Sequence, residues 1–237
     1  GLSGTSYSPG ILNATRLFRV KTHNARCATT VYSNPIQVTV YAPLLAGTLS
    51  PSAPLICFNA SQALSIAGTS GGDATYSYTW EHKPTGSSTW TTAPSSSSSS
   101  SYSTPALTTT TAYRVRVNSG CNLEDTSNVA IVDVAQPFQI NPITLSSSSD
   151  SVCYNTTPSN FSVTASGGRS PYSYQWERKI GSGSWQNVGT NSSNYQESTS
   201  QTQNTQYRVT VSSSAGCGSI TSAAYNVYVF GSVTPPT

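Results

Sequence analysis

The side chains that could support catalysis or bind a metal are few and scattered along this sequence. It has two histidines, His23 and His82, and eight acidic residues. Neither histidine lies near a carboxylate and a nucleophile in a pattern typical of a catalytic triad. The acidic residues form no Asp/Asn cluster like that of a calcium loop, and the cysteines form no C-x-x-C pair like that of a zinc site. The sequence therefore predicts a non-enzyme with no catalytic residues, no cofactor and no metal site.

The five cysteines are the remaining reactive side chains, and their spacing favours a structural role. Cys57 and Cys121 are 64 residues apart, and so are Cys153 and Cys217. A bridge of that span stabilises a domain by about 4 kcal/mol, because it constrains the unfolded chain. The equal spacing predicts two disulfides, Cys57–Cys121 and Cys153–Cys217, with free buried thiols as the alternative. Cys27 is then left unpaired.

The four tryptophans fall into two pairs with different expected roles. Trp80 and Trp176 follow alternating aromatic residues, so we expect them in the cores of β-structures. Trp90 and Trp185 follow predicted hairpins, where a tryptophan commonly lies over a sheet as a lid. An exposed tryptophan on a β-sheet can also stack on a sugar ring. Glycan contact at Trp90 and Trp185 therefore stays open as the second interpretation.

The elements that must position these residues belong to an internal repeat. The strand-like segment Tyr76–Glu81 (YSYTWE) returns 96 residues later as Tyr172–Glu177 (YSYQWE). Apolar and polar residues alternate in both copies, which is typical of a β-strand with one buried face. The same alternation places Glu81 and Glu177 outward, where we expect Glu81 to pair with Arg114 or Arg116. We expect Glu177 to pair with Arg208 of the corresponding strand.

The repeat predicts the domain organisation. Residues 43–136 and 137–231 form two complete repeats, each with about seven short strands and no helical periodicity, which is typical of an antiparallel β-sandwich. Residues 1–42 match the second half of a repeat, and this truncation explains the unpaired Cys27. Residues 232–237 begin a linker.

The truncated repeat has an apolar face that needs a cover. Its predicted strands are too few to bury that face themselves. We expect the face, including Phe18 and Val20, to pack against another polypeptide or against the following domain. One hypothesis is that the chain is a piece of a longer rod, and the other is strand complementation between molecules.

Composition limits the partners. Charged residues make up 8% of the chain, and the formal net charge is +3. The eleven basic residues are scattered, which argues against nucleic-acid binding. No apolar run is long enough to span a membrane, so we expect no membrane insertion. Cysteines at repeating positions in a Ser/Thr-rich β-protein indicate an oxidising, extracellular compartment.

The combined motif resembles a known family. It comprises a cysteine, a Gly-Gly pair, Y-x-Y-x-W-E, a second tryptophan, Tyr-Arg-Val, a second cysteine and Ser-Asn. It is similar to the Ig-like and PKD-like repeats of giant cell-surface adhesins of gliding Bacteroidetes, which are secreted by the type IX route. The resemblance implies an extracellular, cell-surface adhesin or filament. Asp150-Ser151-Val152 also resembles the O-glycosylation site of these bacteria, which implies modification of Ser151.

Together these features predict an all-β fold of tandem antiparallel Ig-like β-sandwiches arranged as a rod. The expected function is that of a structural and adhesive repeat segment in an extended stalk or filament. Expected partners are further repeats of the same protein, neighbouring subunits, or surface polysaccharide. The alternatives are carbohydrate-binding repeats of a secreted polysaccharide-degrading enzyme, and a subunit of a strand-exchange polymer.

Overall fold

A computed structural model describes residues 6–120, 122–147 and 149–231 of this chain. It divides into two compact units. The first contains the described residues up to 52 together with 63–103 and 112–130. The second contains residues 53–62, 104–111 and the described residues from 131 onward. Within these ranges the regular structure is β-strand, apart from one 3₁₀ turn at Ser214–Gly216.

The N-terminal segment forms two small antiparallel pairs. Strands β1 and β4 pair with each other, and β2 pairs with β3. The strands are β1 (Arg16–Phe18), β2 (Lys21–Asn24), β3 (Thr29–Tyr32) and β4 (Ile36–Val38).

The first complete repeat forms two sheets. One has the order β10-β7-β5, and the other has the order β6-β13-β11-β8-β9, with β12 also paired to β11. The strands are β5 (Thr48–Ser50), β6 (Leu55–Ile56), β7 (Ala63–Ala67), β8 (Tyr76–Pro84), β9 (Thr91–Thr92), β10 (Ser101–Ser103), β11 (Thr111–Ser119), β12 (Glu124–Thr126) and β13 (Ala130–Val134).

The second complete repeat has the same plan. One sheet has the order β15-β17-β21, and the other has the order β16-β24-β22-β19-β20, with β23 also paired to β22 and a separate β14-β18 pair. The strands are β14 (Gln139–Ile140), β15 (Thr144–Leu145), β16 (Ser151–Cys153), β17 (Phe161–Ser162), β18 (Ala165–Ser166), β19 (Tyr172–Ile180), β20 (Gln186–Val188), β21 (Asn194–Tyr195), β22 (Thr205–Ser213), β23 (Ser219–Thr221) and β24 (Tyr225–Phe230).

Each repeat buries one tryptophan between its two sheets. Trp80 and Trp176 are both 0% exposed. Their indole N–H groups donate to loop carbonyls, Trp80 to Ser99 and Trp176 to Ser192, each at 2.9 Å. These equivalent surroundings confirm the predicted tryptophan-centred cores. Two sheets closed over such a core make each repeat an Ig-like β-sandwich.

One strand pair in each sandwich departs from the antiparallel prediction. β6 pairs in parallel with β13, and β16 pairs in parallel with β24. Each pair adds a short strand beside the last long strand of its repeat. The sequence did not predict this, because alternation indicates which face of a strand is buried and says nothing of its direction.

A serine hydroxyl fixes the same point in all three repeat copies. It accepts a hydrogen bond from the N–H of a valine, which lies in a neighbouring strand in the two complete repeats and between β1 and β2 in the N-terminal copy. The same hydroxyl donates to the carbonyl of the residue that follows the serine. We call this arrangement the serine clamp. The valine N–H to serine Oγ distances are 2.9 Å for Val20–Ser33, 2.9 Å for Val115–Ser127 and 3.1 Å for Val209–Ser222. The donated bonds are Ser33 to Asn34 O at 3.0 Å, Ser127 to Asn128 O at 2.8 Å and Ser222 to Ala223 O at 2.9 Å.

The N-terminal segment repeats the strand register of a second half-repeat but leaves its apolar face uncovered. Phe18 lies opposite Ile36 in the β1–β4 pair, just as Tyr207 lies opposite Tyr225 in the β22–β24 pair. Phe18 is half-buried, and its ring lies 5.9 Å from that of Tyr7. Val20 is 64% exposed. Of the two covers predicted for this face, the following domain leaves Val20 exposed, and a second polypeptide stays a prediction.

Candidate functional site

In each sandwich, the outer face of the larger sheet carries an arginine, a glutamate and a tryptophan side by side. In the first sandwich, Arg114 Nε donates to Glu81 at 2.7 Å, and Arg116 Nε lies 3.2 Å from the same carboxylate. β8 and β11 are hydrogen-bonded neighbours, so their outward side chains meet. The predicted pairing of Glu81 is confirmed, but the Glu81 side chain is only 11% exposed. The carboxylate is therefore largely withdrawn from solvent, with one arginine bonded to it and a second close by.

The second sandwich repeats this arrangement. Glu177 lies directly opposite Arg208 in the β19–β22 ladder, and Arg208 Nε donates to it at 2.7 Å. A second hydrogen bond from Arg208 Nη2 measures 3.2 Å. The predicted Glu177–Arg208 pair is therefore confirmed.

The second tryptophan of each repeat lies against this arginine. The guanidinium carbon of Arg114 lies 4.4 Å from the Trp90 ring centroid, and that of Arg208 lies 4.2 Å from the Trp185 centroid. Lys83 adds a second cation 5.0 Å from the Trp90 ring. Both tryptophans are half-buried. The arrangement resembles the predicted lid, and glycan contact at Trp90 and Trp185 stays a prediction.

A buried ionic cluster occupies the core of the second sandwich. Glu197 is 2% exposed, and Arg178 Nη1 donates to its two carboxylate oxygens at 3.0 Å each. The phenol groups of Tyr195 and Tyr207 both donate to Glu197 Oε2 at 3.0 Å. The N–H of Thr199 donates to Oε1 at 2.9 Å. Arg178 supplies the opposite charge, and the uncharged donors satisfy the remaining acceptor positions of a carboxylate that would otherwise be costly to bury.

These contacts shift the ionisation of the cluster. Burial opposes ionisation of Glu197, but hydrogen bonds from Thr199, Arg178 and Tyr195 outweigh it and hold the pKa of Glu197 below its ordinary value. Burial, reinforced by the Glu197 charge, raises the pKa of Tyr195 and of Tyr207 far above that of a free phenol. Glu197 is therefore ionised at neutral pH and the two phenols remain protonated donors. This charge state supports packing of the cluster, because every phenol remains a hydrogen-bond donor to the carboxylate.

The first repeat lacks the ion pair at the matching positions. His82 stands where the second has Arg178, and Thr104 stands where it has Glu197. Thr104 accepts a hydrogen bond from the N–H of Gln62 at 2.9 Å. The His82 ring lies 6.1 Å from that of Tyr113, and its Nδ1 is buried without a partner among the described residues.

The cysteines pair differently from the prediction. Cys57 is bonded to Cys217, 160 residues away, and both lie in the second compact unit. Cys153 is free and exposed, so the predicted Cys153–Cys217 bond is wrong, because Cys217 is already used by Cys57. The predicted Cys57–Cys121 bond is wrong for the same reason, and Cys121 itself lies outside the described residues. Cys27 is also free and exposed.

The remaining candidate residues do not come together. Ser151 begins β16, and its hydroxyl donates to Asp150 Oδ1 at 3.0 Å, so O-glycosylation there stays a prediction. His23 lies within 3.1 Å of the Thr30 hydroxyl on an exposed hairpin. Within residues 6–120, 122–147 and 149–231, no three His, Cys, Asp or Glu side chains lie close enough to hold a metal ion. In the same ranges no helix has the length and apolar character to cross a bilayer.

Sequence reasoning missed the ionic cluster altogether. Glu197 lies in a loop-like stretch without periodicity, where a carboxylate is normally solvated. Its signal was a difference between the repeats: arginine replaces His82 and glutamate replaces Thr104 at matching positions. Two opposite charges that appear together in one copy of a repeat indicate contact in space.

Comparison with known proteins finds a family model that matches the chain twice. A family model described as "Domain of unknown function (DUF8696)" matches residues 45–136 and again 141–230. No curated protein sequence is detectably similar to this chain.

Solved structures of Ig-domain proteins align with most of the chain. The N-terminal four Ig domains of Dscam1 isoform 6.9 align at 12% identity over 91% of this chain and 54% of that one, with a TM-score of 0.36. The N-terminal eight Ig domains of DSCAM isoform 1.30.30 align at 11% identity over 90% of this chain and 31% of that one, with a TM-score of 0.35. The chain thus spans about half the length of the four-domain structure.

Proposed function

We propose that this chain, which belongs to the DUF8696 family, is a structural and adhesive repeat segment of a large extracellular surface protein. In this role the repeats form an extended stalk or filament. The observation that carries the proposal is the recurrence of supporting features. Each of the two sandwiches has its own core around a buried tryptophan, and all three repeat copies contain the serine clamp. Tandem repetition of a scaffold is the usual way to build length.

Composition and bonding support an extracellular location. The chain is lightly charged and rich in hydroxyl side chains, and it contains a disulfide, which persists in oxidising compartments. The motif also resembles the repeats of type IX-secreted adhesins in gliding Bacteroidetes. We extend the proposal to a surface protein of that kind, with gliding motility as its setting.

Small-angle X-ray scattering on the intact chain tests the extended form. If each sandwich adds about 30–40 Å along one axis, the two should give a maximum dimension above 60 Å. A compact chain of this length has a radius of gyration of about 18 Å. A measured radius close to that compact value would overturn the stalk.

Bead adhesion tests the adhesive part. Beads coated with the intact chain should attach to surfaces or to one another more than beads coated with the same chain unfolded by reduction and urea. Attachment no greater than that of the unfolded control would remove adhesion and leave only a spacer role.

A second candidate function is carbohydrate binding. Half-exposed tryptophans beside arginine recur at the same place in both sandwiches, and such rings can stack on pyranose sugars. Glycan-array binding should then fall in Trp90→Ala and Trp185→Ala and persist in the control Tyr154→Ala, an exposed aromatic away from that face. Absence of glycan binding by the unchanged chain would exclude this candidate.

A third candidate is strand exchange, which the uncovered N-terminal face supports. Val20 is 64% exposed and Ile36 is 71% exposed, where equivalent positions in the second sandwich are covered. The face would then take strands from a second copy of the chain. Light scattering should show concentration-dependent oligomers that Val20→Asp removes and the control Val129→Asp retains. A monomer at all concentrations would exclude strand exchange.

A further inference from the structure

The disulfide found among the described residues joins different positions of two successive repeats. In each repeat, one cysteine precedes the tryptophan strand, and we call it the first-position cysteine: Cys57 and Cys153. Another follows the Tyr-Arg-Val strand, and we call it the second-position cysteine: Cys27, Cys121 and Cys217. The observed bond joins first-position Cys57 to second-position Cys217, which belongs to the following repeat.

We propose that the cysteines of these repeats pair one repeat out of step. The first-position cysteine of each repeat bonds to the second-position cysteine of the next. Under this rule Cys153 bonds to a second-position cysteine of a further repeat, which another copy of this chain can supply. The inference deepens the proposed role as a structural repeat segment, but it rests on the repeat order and not on adhesion.

The surroundings of the two first-position cysteines support the rule. Cys57 is followed by Phe58, which lines a cleft of the second compact unit together with Pro137, Phe138 and Cys217. Cys153 is followed by Tyr154, the equivalent aromatic residue, which is 49% exposed where Phe58 is 42% exposed.

The strand beside Cys153 leaves a further aromatic side chain open. Cys153 pairs across the β16–β24 ladder with Phe230, and Phe230 is 64% exposed. An exposed thiol flanked by two exposed aromatic rings matches a surface prepared for the next repeat.

Bond formation is an ordinary thiol–disulfide exchange. The Cys153 thiolate attacks oxidised glutathione, forms a mixed disulfide and releases one reduced glutathione. The thiolate of the second-position cysteine then attacks the Cys153 sulfur and releases the second. The two protein thiols lose two electrons and two protons in total, and glutathione disulfide accepts both.

Counting thiols in the intact chain tests the pairing rule directly. Out-of-step pairing leaves three thiols in a chain of five cysteines, whereas pairing within each repeat leaves one. Alkylation of the unreduced protein followed by peptide mapping should find Cys57 linked to Cys217. A Cys57–Cys121 or Cys153–Cys217 link, or five free thiols in a glutathione redox buffer, would overturn the rule.

Two serine variants test which cysteines are bonded without relying on the number of free thiols. Cys217→Ser should expose Cys57 to alkylation and leave the labelling of Cys153 unchanged. Labelling that instead increases at Cys153 would overturn the rule. Cys27→Ser is the matched control, since it should remove one thiol and change no other labelling. Tryptophan fluorescence verifies that each variant remains folded.

Cross-linking tests the consequence for Cys153. Concentrated protein incubated with oxidised glutathione should give disulfide-linked dimers that are lost in Cys153→Ser. Mapping should join Cys153 to Cys27 or Cys121 of the other copy. No dimer, or dimers joined Cys153 to Cys153, would overturn this step. In-step bonds would refute the pairing rule and leave the scattering and bead tests of the proposed function unaffected.

Discussion

The two sandwiches solve the same core problem with different chemistry. Both stack a tyrosine on the central tryptophan, at 5.3 Å for Tyr102 on Trp80 and 5.7 Å for Tyr195 on Trp176. At matching positions of the two repeats, the first has the uncharged residue Thr104, whereas the second has the charged residue Glu197. The difference teaches that the scaffold does not depend on the ionic cluster. Where the cluster does occur, all of its members are needed, because a buried charge with missing partners is destabilising.

Breaking one member of the cluster should produce the largest difference between the sandwiches. Arg178→Ala strands the buried Glu197 charge and should lower the free energy of unfolding by about 3–5 kcal/mol. The matched variant His82→Ala removes a side chain that pairs with no charge, and should cost about 1 kcal/mol. Urea unfolding followed by tryptophan fluorescence measures both. Equal losses would contradict the comparison.

Replacing Arg178 and Glu197 by the histidine and threonine of the first repeat should recover much of the stability lost in Arg178→Ala. Arg178→His combined with Glu197→Thr gives the second sandwich the pair of the first. The two changes should couple favourably by about 0.5–3 kcal/mol relative to the sum of the single variants, because the carboxylate that would lose its arginine is removed as well. A double-mutant cycle by urea unfolding measures the coupling. Simple additivity would show that Arg178 and Glu197 act independently.

Acidification should weaken the second sandwich selectively. The folded-state pKa of Glu197 lies below its ordinary value of about 4.3 in an unfolded chain. Its contribution is therefore fully present above that ordinary value and is lost as the pH falls through the folded-state pKa. The loss should be smaller than that in Arg178→Ala, because protonation removes the charge. Unfolding measured between pH 7 and pH 2 should show this acid dependence in the unchanged chain and less of it in the Arg178→His, Glu197→Thr variant.

The outer face should give the smallest difference. Arg114→Ala leaves Arg116 within 3.2 Å of Glu81, whereas Arg208→Ala removes the arginine that Glu177 contacts. Arg208→Ala should therefore destabilise slightly more than Arg114→Ala, and added salt should reduce both effects since ion pairs with partly exposed arginines are screened. Thermal unfolding at low and high salt measures this order. A larger effect of Arg114→Ala would mean that Arg116 does not compensate.

The features that could be predicted from the sequence are those that follow from the alternation of apolar and polar residues within a strand. Burial of Trp80 and Trp176 follows from the period of two in their strands, and the Glu177–Arg208 pair follows from the parity of neighbouring strands. The sequence did not predict the Cys57–Cys217 bond, because equal spacing within repeats gives no information on how successive repeats meet. Glu197 was missed for a related reason: its partners lie on distant strands, and only folding brings them together.

The serine clamp has a consequence for how such repeats tolerate change in length. Ser127 follows β12 and precedes β13, and both of these strands pair with β11. Its hydroxyl accepts from the Val115 N–H where a backbone carbonyl normally would, and its own N–H donates to Val115 O at 2.9 Å. These two bonds fix Ser127 on β11 just before β13 begins. Residues gained or lost in the β11–β12 turn can then be absorbed before the clamp, and the final strand keeps its place in the sheet.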